Sequence, residues 1–420
     1  MKTERLFYED VYCTTFEAVI REIKTEKDEV WVRLDRTAFY PEGGGQPSDM
    51  GDLRWANSPE LDETTWECCV SVTDVWEKDG EIWHRVDNEK PPAGGVCSGV
   101  CAMNGYEDLT VGVSIWGRVN WQRRLDLMQQ HSGEHIVSGL IHELYGYDNV
   151  GFHLSLDTMT LDLNGELTWE QLMYIEARAN GIVWENRPVE ITFPPESELK
   201  ELTYRSKKEL SGQVRIVSIP GADTCACCGT HVTRTGEIGL IKITDMQKWK
   251  NGVRVWMCCG VRAERYCRML QEQNRRISVA LSAKPEETAA AVDRVIGELA
   301  QLKQELTGWK YRYYDQVVKA YEGKPGAVLF ETDLTMEDLR HLTDKLMDVC
   351  SGECFVLSGK DGEGYRYAVG RRGGDVRGLV KEMNTALSGR GGGKNEMAQG
   401  SLQAARAQIE AWIRERGYAN

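Results

Sequence analysis

Two short stretches of this 420-residue chain carry side chains that could share one ion. In QQHSGEHIVSG, His131 and His135 stand four residues apart, and on a helix that spacing projects both imidazoles from one face. In CACCGTH, Cys227 and His231 are again four apart, in a loop that contains Gly229 and follows a strand-like run. Together the two pairs offer three nitrogens and one sulfur, a donor set suited to a zinc ion (Zn2+). Cys225 and Cys228 read as packing or loop thiols, although either stands close enough in the chain to replace Cys227. His84, His142, His153 and His341 have no partner at useful spacing and read as ordinary polar or core residues. The zinc-protease pattern H-E-x-x-H is not met, because Ser132 occupies the place of its acid. Four protein ligands usually make a closed structural site, whereas a hydrolytic zinc keeps one position open, so the donors alone do not decide between structure and catalysis.

The elements that must position these pairs follow from periodicity. Residues 1–115 read as a glycine-rich small β-barrel or sandwich. EAVIREIKTEKDEVWVRLD alternates apolar and polar residues around a polar turn, and WECCVSVTDVWEKDGEIWHRVD does so around Asp79-Gly80, a strong hairpin signal. From about 120 the period becomes helical, through Leu125, Met128, Ile136, Val137, Leu140, Ile141 and Leu144, with Gly133 as a weak point in the middle. Thr168 and Gln171 form a capping box for a second helix. Three strand-like runs follow, VRIVSI, IGLIKI and VRVWMCC, so residues 116–262 read as an α+β core that holds the metal donors. Residues 263–322 are a helical linker divided at Pro285. Beyond it Val292, Val295, Leu299, Leu302, Leu306, Trp309 and Tyr313 recur at steps of three and four, a coiled-coil seam that closes a helical hairpin or joins two copies. Residues 323–420 alternate strands and helices as a small α/β domain, with GRGGGKNEMAQGS between the last two helices. The fold class is therefore α+β: barrel, zinc-containing core, coiled-coil-like linker and C-terminal α/β domain.

Bulk properties narrow the function. No apolar run is long enough to span a bilayer, and the N-terminus lacks the apolar core of a secretory signal, so a cytoplasmic location with no membrane partner is expected. The odd total of thirteen cysteines, largely in adjacent groups, reads as reduced thiols rather than a disulfide framework. A formal charge of −14 opposes a broad nucleic-acid-binding surface and leaves only local basic patches for that purpose.

Four motifs in order, RTAFYPEGGGQPSDMG, HSGEH, CCGTH and GRGGGKNEMAQGS, resemble the editing and C-terminal DHHA1 domains of alanyl-tRNA synthetase and its free-standing relatives, the AlaX-type editing proteins. The resemblance spans essentially the whole chain, with no aminoacylation module before the barrel. It implies that His131, His135, Cys227 and His231 bind zinc and that the Thr37 hydroxyl recognises a serine side chain. It implies too that Gln46 lies near the reaction centre after Gly43, Gly44 and Gly45. Arg390, Gly391, Gly392, Gly393 and Lys394 would then contact RNA phosphate, or else let two elements pack closely. Cys228 departs from the glycine of many relatives.

The reaction so implied is hydrolysis of mischarged Ser-tRNA(Ala), and of Gly-tRNA(Ala), at the tRNA(Ala) acceptor end. A pocket built for alanine discriminates against such neighbours by only about 10–200-fold, so a second hydrolytic site restores accuracy. Basic stretches at 204–208 and 248–254 either line the acceptor groove or are solvated surface charge, and the linker or the C-terminal domain is the place for a homodimer. Three alternatives remain. A DHH phosphoesterase lacks its Asp-His-His motif here, whereas a non-catalytic RNA-binding protein with structural zinc suits the closed donor set. Editing of another mischarged tRNA is the third, since threonyl-tRNA synthetases carry a related fold.

Overall fold

A computed structural model describes residues 2–55, 68–87, 109–206 and 213–418. The chain divides into two compact units, Met1–Arg275 and Arg276–Asn420.

The first unit begins with a closed barrel of six strands: β1 (Thr15–Glu26), β2 (Glu29–Leu34), β3 (Gly51–Trp55), β4 (Cys68–Lys78), β5 (Glu81–Asp87) and β6 (Ser114–Val119). They run antiparallel in the order β1-β2-β5-β4-β3-β6, and β6 returns to β1. Alternation drives the closure: Val30, Val32 and Leu34 are buried while Trp31 and Arg33 are less so. At the β4–β5 hairpin Asp79 and Gly80 both take positive φ, 53° and 80°, the turn whose twist suits paired strands. The closing strand extends past the expected boundary at 115.

Beyond the barrel lies helix α1 (Trp121–Tyr145), capped by the Asn120 side chain on the Arg123 amide and ended by Gly146 at φ 69°. Every residue from Leu127 to Ile141 is buried, so this helix threads the core rather than covering it. Gly133 is a packing requirement: a Cβ there would lie 2.2 Å from Cys259 Sγ. Next come β7 (Asn149–Leu154), β8 (Met159–Leu163) and α2 (Trp169–Trp184), the last carrying the Thr168–Gln171 capping box. Three short strands, β9 (Glu190–Thr192), β10 (Ile216–Ile219) and β11 (Asp223–Ala226), form one sheet. β12 (Ile241–Trp249) and β13 (Gly252–Cys259) join β8 and β7 in another, ordered β12-β13-β8-β7. The run IGLIKI is a strand only from Ile241, because a short 3-10 turn over Thr235–Ile238 ends on Gly239 at φ 78°.

Arg124 of α1 joins this core to the barrel. Fully buried, it pairs with Asp49 and donates to the carbonyls of Val11 (2.9 Å) and Ala38. Multiple hydrogen bonds of this kind are what a buried ion pair needs to offset desolvation.

Helix α3 (Gly260–Leu281) spans the division between the units, and a turn at Pro285 separates it from α4 (Thr288–Lys319). The expected seam on α4 is exposed, from 38% at Val292 to 63% at Trp309. The rest of the second unit is a five-stranded sheet of order β14-β15-β16-β18-β17 with three helices. Its elements are β14 (Ala327–Glu331), α5 (Met336–Val349), β15 (Cys354–Lys360), β16 (Gly364–Gly370), α6 (Arg377–Ala386), β17 (Arg390–Gly393), β18 (Met397–Leu402) and α7 (Arg406–Glu415). GRGGGKNEMAQGS thus forms a β-hairpin at the sheet edge. Among the described residues, no helix is long and apolar enough to cross a membrane, and no cysteine whose side chain is described is in a disulfide.

Candidate metal centre

Helix α1 supplies His131 and His135, and the loop after β11 supplies Cys227 and His231. One donor atom from each lies within 4.8 Å of all the others. Cys227 Sγ is 3.4 Å from His131 Nε2 and 3.5 Å from His231 Nε2. The second nitrogen of every imidazole is occupied: His131 Nδ1 meets Gln46 Oε1 at 2.9 Å, His135 Nδ1 meets Asp223 Oδ2 at 2.8 Å, and His231 Nδ1 meets Ser132 Oγ at 3.2 Å. Outer partners of this kind orient the rings and leave three Nε2 atoms for one centre. Three imidazoles and a thiolate fit a borderline-soft divalent ion such as zinc.

The electrostatics show donors for which protons and a metal ion would compete. Burial opposes ionisation of Cys227, yet the imidazoles of His131 and His135 hold its thiol well below the ordinary range. Burial likewise disfavours a charge on His135, but Asp223 and then the Cys227 sulfur raise it well above the usual value. Asp223 is itself gripped by Arg205, Nε at 2.7 Å and Nη2 at 2.8 Å. His231 is pushed down to about 3 by burial and by the neighbouring His131.

Neighbouring cysteines separate by direction. The Cys228 side chain is exposed while its carbonyl accepts the Tyr8 hydroxyl at 3.0 Å. Cys225 approaches His135 and Asp223 as a second group, but Asp223 is committed to His135 and Arg205. Arg215 is a residue that spacing did not reveal. Its Nη1 donates to the carbonyls of Cys227 (2.8 Å) and Gly229 (2.9 Å), fixing the loop from below. Its only sequence signal is a cation inside a β-patterned run.

The glycine-rich motif folds over the same centre. Gly43 and Gln46 exchange backbone hydrogen bonds, with Gly44 at φ 61° and Gly45 at φ 83° as the two turn residues. Gln46 is fully buried and spends its amide on neighbours: Oε1 takes the Thr230 N–H (3.1 Å) besides His131, and Nε2 donates to Thr230 Oγ1 (2.8 Å). It therefore acts through His131 and the ligand loop. Thr37 is also fully buried, but inside the barrel. Its Oγ1 lies 2.8 Å from His84 Nε2 and accepts the Phe39 N–H at 3.1 Å. His84, read from the sequence as an ordinary polar or core residue, is a core residue and the hydrogen-bond partner of Thr37; its Nδ1 meets Val32 O at 3.0 Å, and burial lowers its pKa to about 4.

Of the four described cations in the two basic stretches, three are ion-paired and Lys250 lies over the Trp249 ring at 5.8 Å. Lys248 pairs with Glu166 at 2.7 Å and Arg254 with Asp162 at 2.6 Å, while Arg205 serves Asp223. Lys207 and Lys208 lie outside the described residues. In the second unit Arg390, Gly391, Gly392 and Gly393 border a cavity of about 550 Å³ with Arg377 and Lys381. Lys394 is at the hairpin turn, its amide on Met397 O. A Cβ at Gly391 or Gly393 would come within 2.3 Å of a β18 carbonyl, whereas one at Gly392 would meet nothing within 4 Å. Two of these glycines therefore serve close packing, and one faces outward.

Fold and site together define a barrel-and-core protein with a four-donor His/Cys centre, followed in the chain by a small α/β unit. Residues 214–261 match the family described as "Threonyl and Alanyl tRNA synthetase second additional domain", and residues 323–415 match the DHHA1 domain. Alanyl-tRNA editing protein AlaX-L of Pyrococcus horikoshii is 30% identical over 97% of this chain and 96% of its own length. The alanine–tRNA ligases of Pyrococcus furiosus and Thermococcus kodakarensis are 31% and 32% identical over 99% and 96% of this chain, which spans 43% and 42% of their length. The chain belongs to the family of AlaX-L alanyl-tRNA editing proteins.

Proposed function

We propose that this chain is a deacylase that hydrolyses the ester joining serine, and secondarily glycine, to the acceptor end of tRNA(Ala). Water adds to the ester carbonyl carbon, the bond to the ribose oxygen breaks, and free amino acid and a ribose hydroxyl result. The observation that carries this reading is the centre itself: three oriented imidazoles and a depressed thiol beside a glycine turn, in a member of an editing family. His131, His135, Cys227 and His231 would hold a zinc ion, which when bound would supply Lewis acidity toward the aminoacyl group. Gln46 holds His131 and Thr230 in place, and the Gly43–Gly45 turn keeps side chains away from the space over the ligand loop, where Gly44 faces the Gly229 amide. Thr37 is the proposed sensor of the serine hydroxyl.

In this reading residues 1–115 and 116–262 carry the reaction, 263–322 links, and 323–420 holds RNA through Arg390 to Lys394. The test is deacylation of seryl-, glycyl- and alanyl-tRNA(Ala) by metal-loaded protein. Seryl ester should be cleaved at least about 10-fold faster than alanyl ester. Cys227→Ser should lose bound metal, read by elemental analysis, together with activity. The closed donor set favours one second reading, structural zinc in a non-catalytic RNA-binding protein; metal-loaded protein that cleaves no aminoacyl ester would establish it instead.

A further inference from the structure

Beside the four donors lies a cavity of about 540 Å³ with a chemistry of its own. Gly45, Gln46 and Phe152 form its near wall, and Phe152 stacks on His131 with ring centres 5.2 Å apart, so the cavity adjoins the metal centre. Arg85, Arg123 and the carboxylates of Glu42 and Asp74 also line it. The two arginines differ. Arg85 is committed, donating to Glu29 Oε1 at 3.0 Å and to Thr73 Oγ1 at 3.0 Å. In the guanidinium of Arg123, in the first turn of α1, only Nε donates among the described residues, to Ser48 O at 3.0 Å. Among the described residues no carboxylate oxygen lies within 4.0 Å of its guanidinium, although Asp49, Asp74 and Asp126 lie farther off. Burial lowers its pKa below the ordinary value, yet an arginine stays charged. A half-buried cation without a contacting counter-ion has lost hydration that a bidentate anion would replace.

The acids beside it are not that anion. Asp74 Oδ1 accepts the Ser48 hydroxyl at 2.7 Å and the Val75 amide at 2.9 Å. One uncommitted cation among acids and hydroxyls suits a ligand that is anionic at one end and rich in donors at the other. A nucleotide has that character: its phosphate suits Arg123, and its ribose hydroxyls and base amino groups suit Asp74 and Glu42.

We infer that this cavity seats the nucleotide preceding the ester-bearing adenosine, with Arg123 on the phosphate between them. The assignment rests on the deacylase reading and deepens it. It adds one local phosphate contact to a chain whose net charge of −14 opposes a broad basic face.

The test pairs binding with kinetics. A fluorescent, uncharged RNA minihelix with a single-stranded acceptor end is titrated against wild type, Arg123→Ala and Arg123→Lys at several salt concentrations. Arg123→Ala should weaken binding about 10-fold and reduce the salt slope by about one phosphate, and Arg123→Lys should restore much of the slope. With seryl-minihelix, Arg123→Ala should raise KM. With seryl-adenosine, which carries no phosphate, it should leave kcat/KM within about twofold of wild type. Equal binding by wild type and Arg123→Ala overturns the inference, as does an equal loss on both esters. The binding arm needs no hydrolysis, so failure of the deacylase reading shows separately, as wild type that cleaves neither ester.

Discussion

At the scale of single residues, the tautomer of His84 decides what Thr37 can recognise. Val32 O lies 3.0 Å from Nδ1, which must therefore carry the proton, leaving Nε2 to accept from the Thr37 hydroxyl. With Phe39 N–H already donated to it, Oγ1 has acceptor capacity left and no proton to give. A ligand that uses Thr37 must then donate, as a serine hydroxyl does and an alanine methyl does not. Thr37→Val should cut the preference for seryl over alanyl ester by about 10–100-fold, through loss of a hydrogen bond in a desolvated site. It should also lower the thermal midpoint, because His84 Nε2 is left without its donor. A lower midpoint with unchanged selectivity would make Thr37 a brace of the barrel and nothing more.

At the scale of elements, α1 is where fold and site depend on one another. The helix carries two of the candidate metal donors, and its Gly133 is what lets it lie against Cys259 of β13. Alanine is the better helix former by about 1 kcal/mol. Even so, Gly133→Ala should destabilise the first unit by about 1–3 kcal/mol, because the new methyl overlaps the sulfur. Adding Cys259→Ala should recover much of that loss in urea unfolding; a Gly133→Ala single variant as stable as wild type would refute the argument. The same glycine looked like a weak point because only local propensity was readable from the sequence. Local patterns were legible: the i,i+4 histidines, the Thr168 capping box, the Asp79-Gly80 turn and the Pro285 break. What orients the site was not, because Gln46, Asp223 and Ser132 come to His131, His135 and His231 from 85 to 99 residues away. The GRGGGKNEMAQGS segment left two readings open in the sequence, phosphate contact or close packing of two elements. Glycine suggests a turn, but at Gly391 and Gly393 it admits a neighbouring strand.

At the scale of the whole molecule, the α4 seam is the feature that one copy leaves unsatisfied. Val292, Val295, Leu299, Leu302, Leu306, Trp309 and Tyr313 are all more than a third exposed. Seven large apolar side chains in heptad register are what a second copy would bury. The flanking charges choose the orientation. Glu298 and Glu305 precede seam residues Leu299 and Leu306, while Lys303 and Lys310 follow Leu302 and Trp309. In a parallel pair Glu298 of one copy faces Lys303 of the other; in an antiparallel pair acids meet acids and lysines meet lysines. Lys310 already reaches Asp338 in its own chain at 3.0 Å, whereas Glu298 makes only a long 3.9 Å contact with the exposed Arg294, so Glu298 with Lys303 is the pair to test. Sedimentation should show a dimer at micromolar concentration, and Leu299→Glu with Leu302→Glu should yield a monomer of unchanged helix content. Glu298→Lys should weaken the dimer by about 0.3–1 kcal/mol, and adding Lys303→Glu should restore it. A wild-type monomer would remove the dimer altogether, and a dimer indifferent to Glu298→Lys would remove the parallel register.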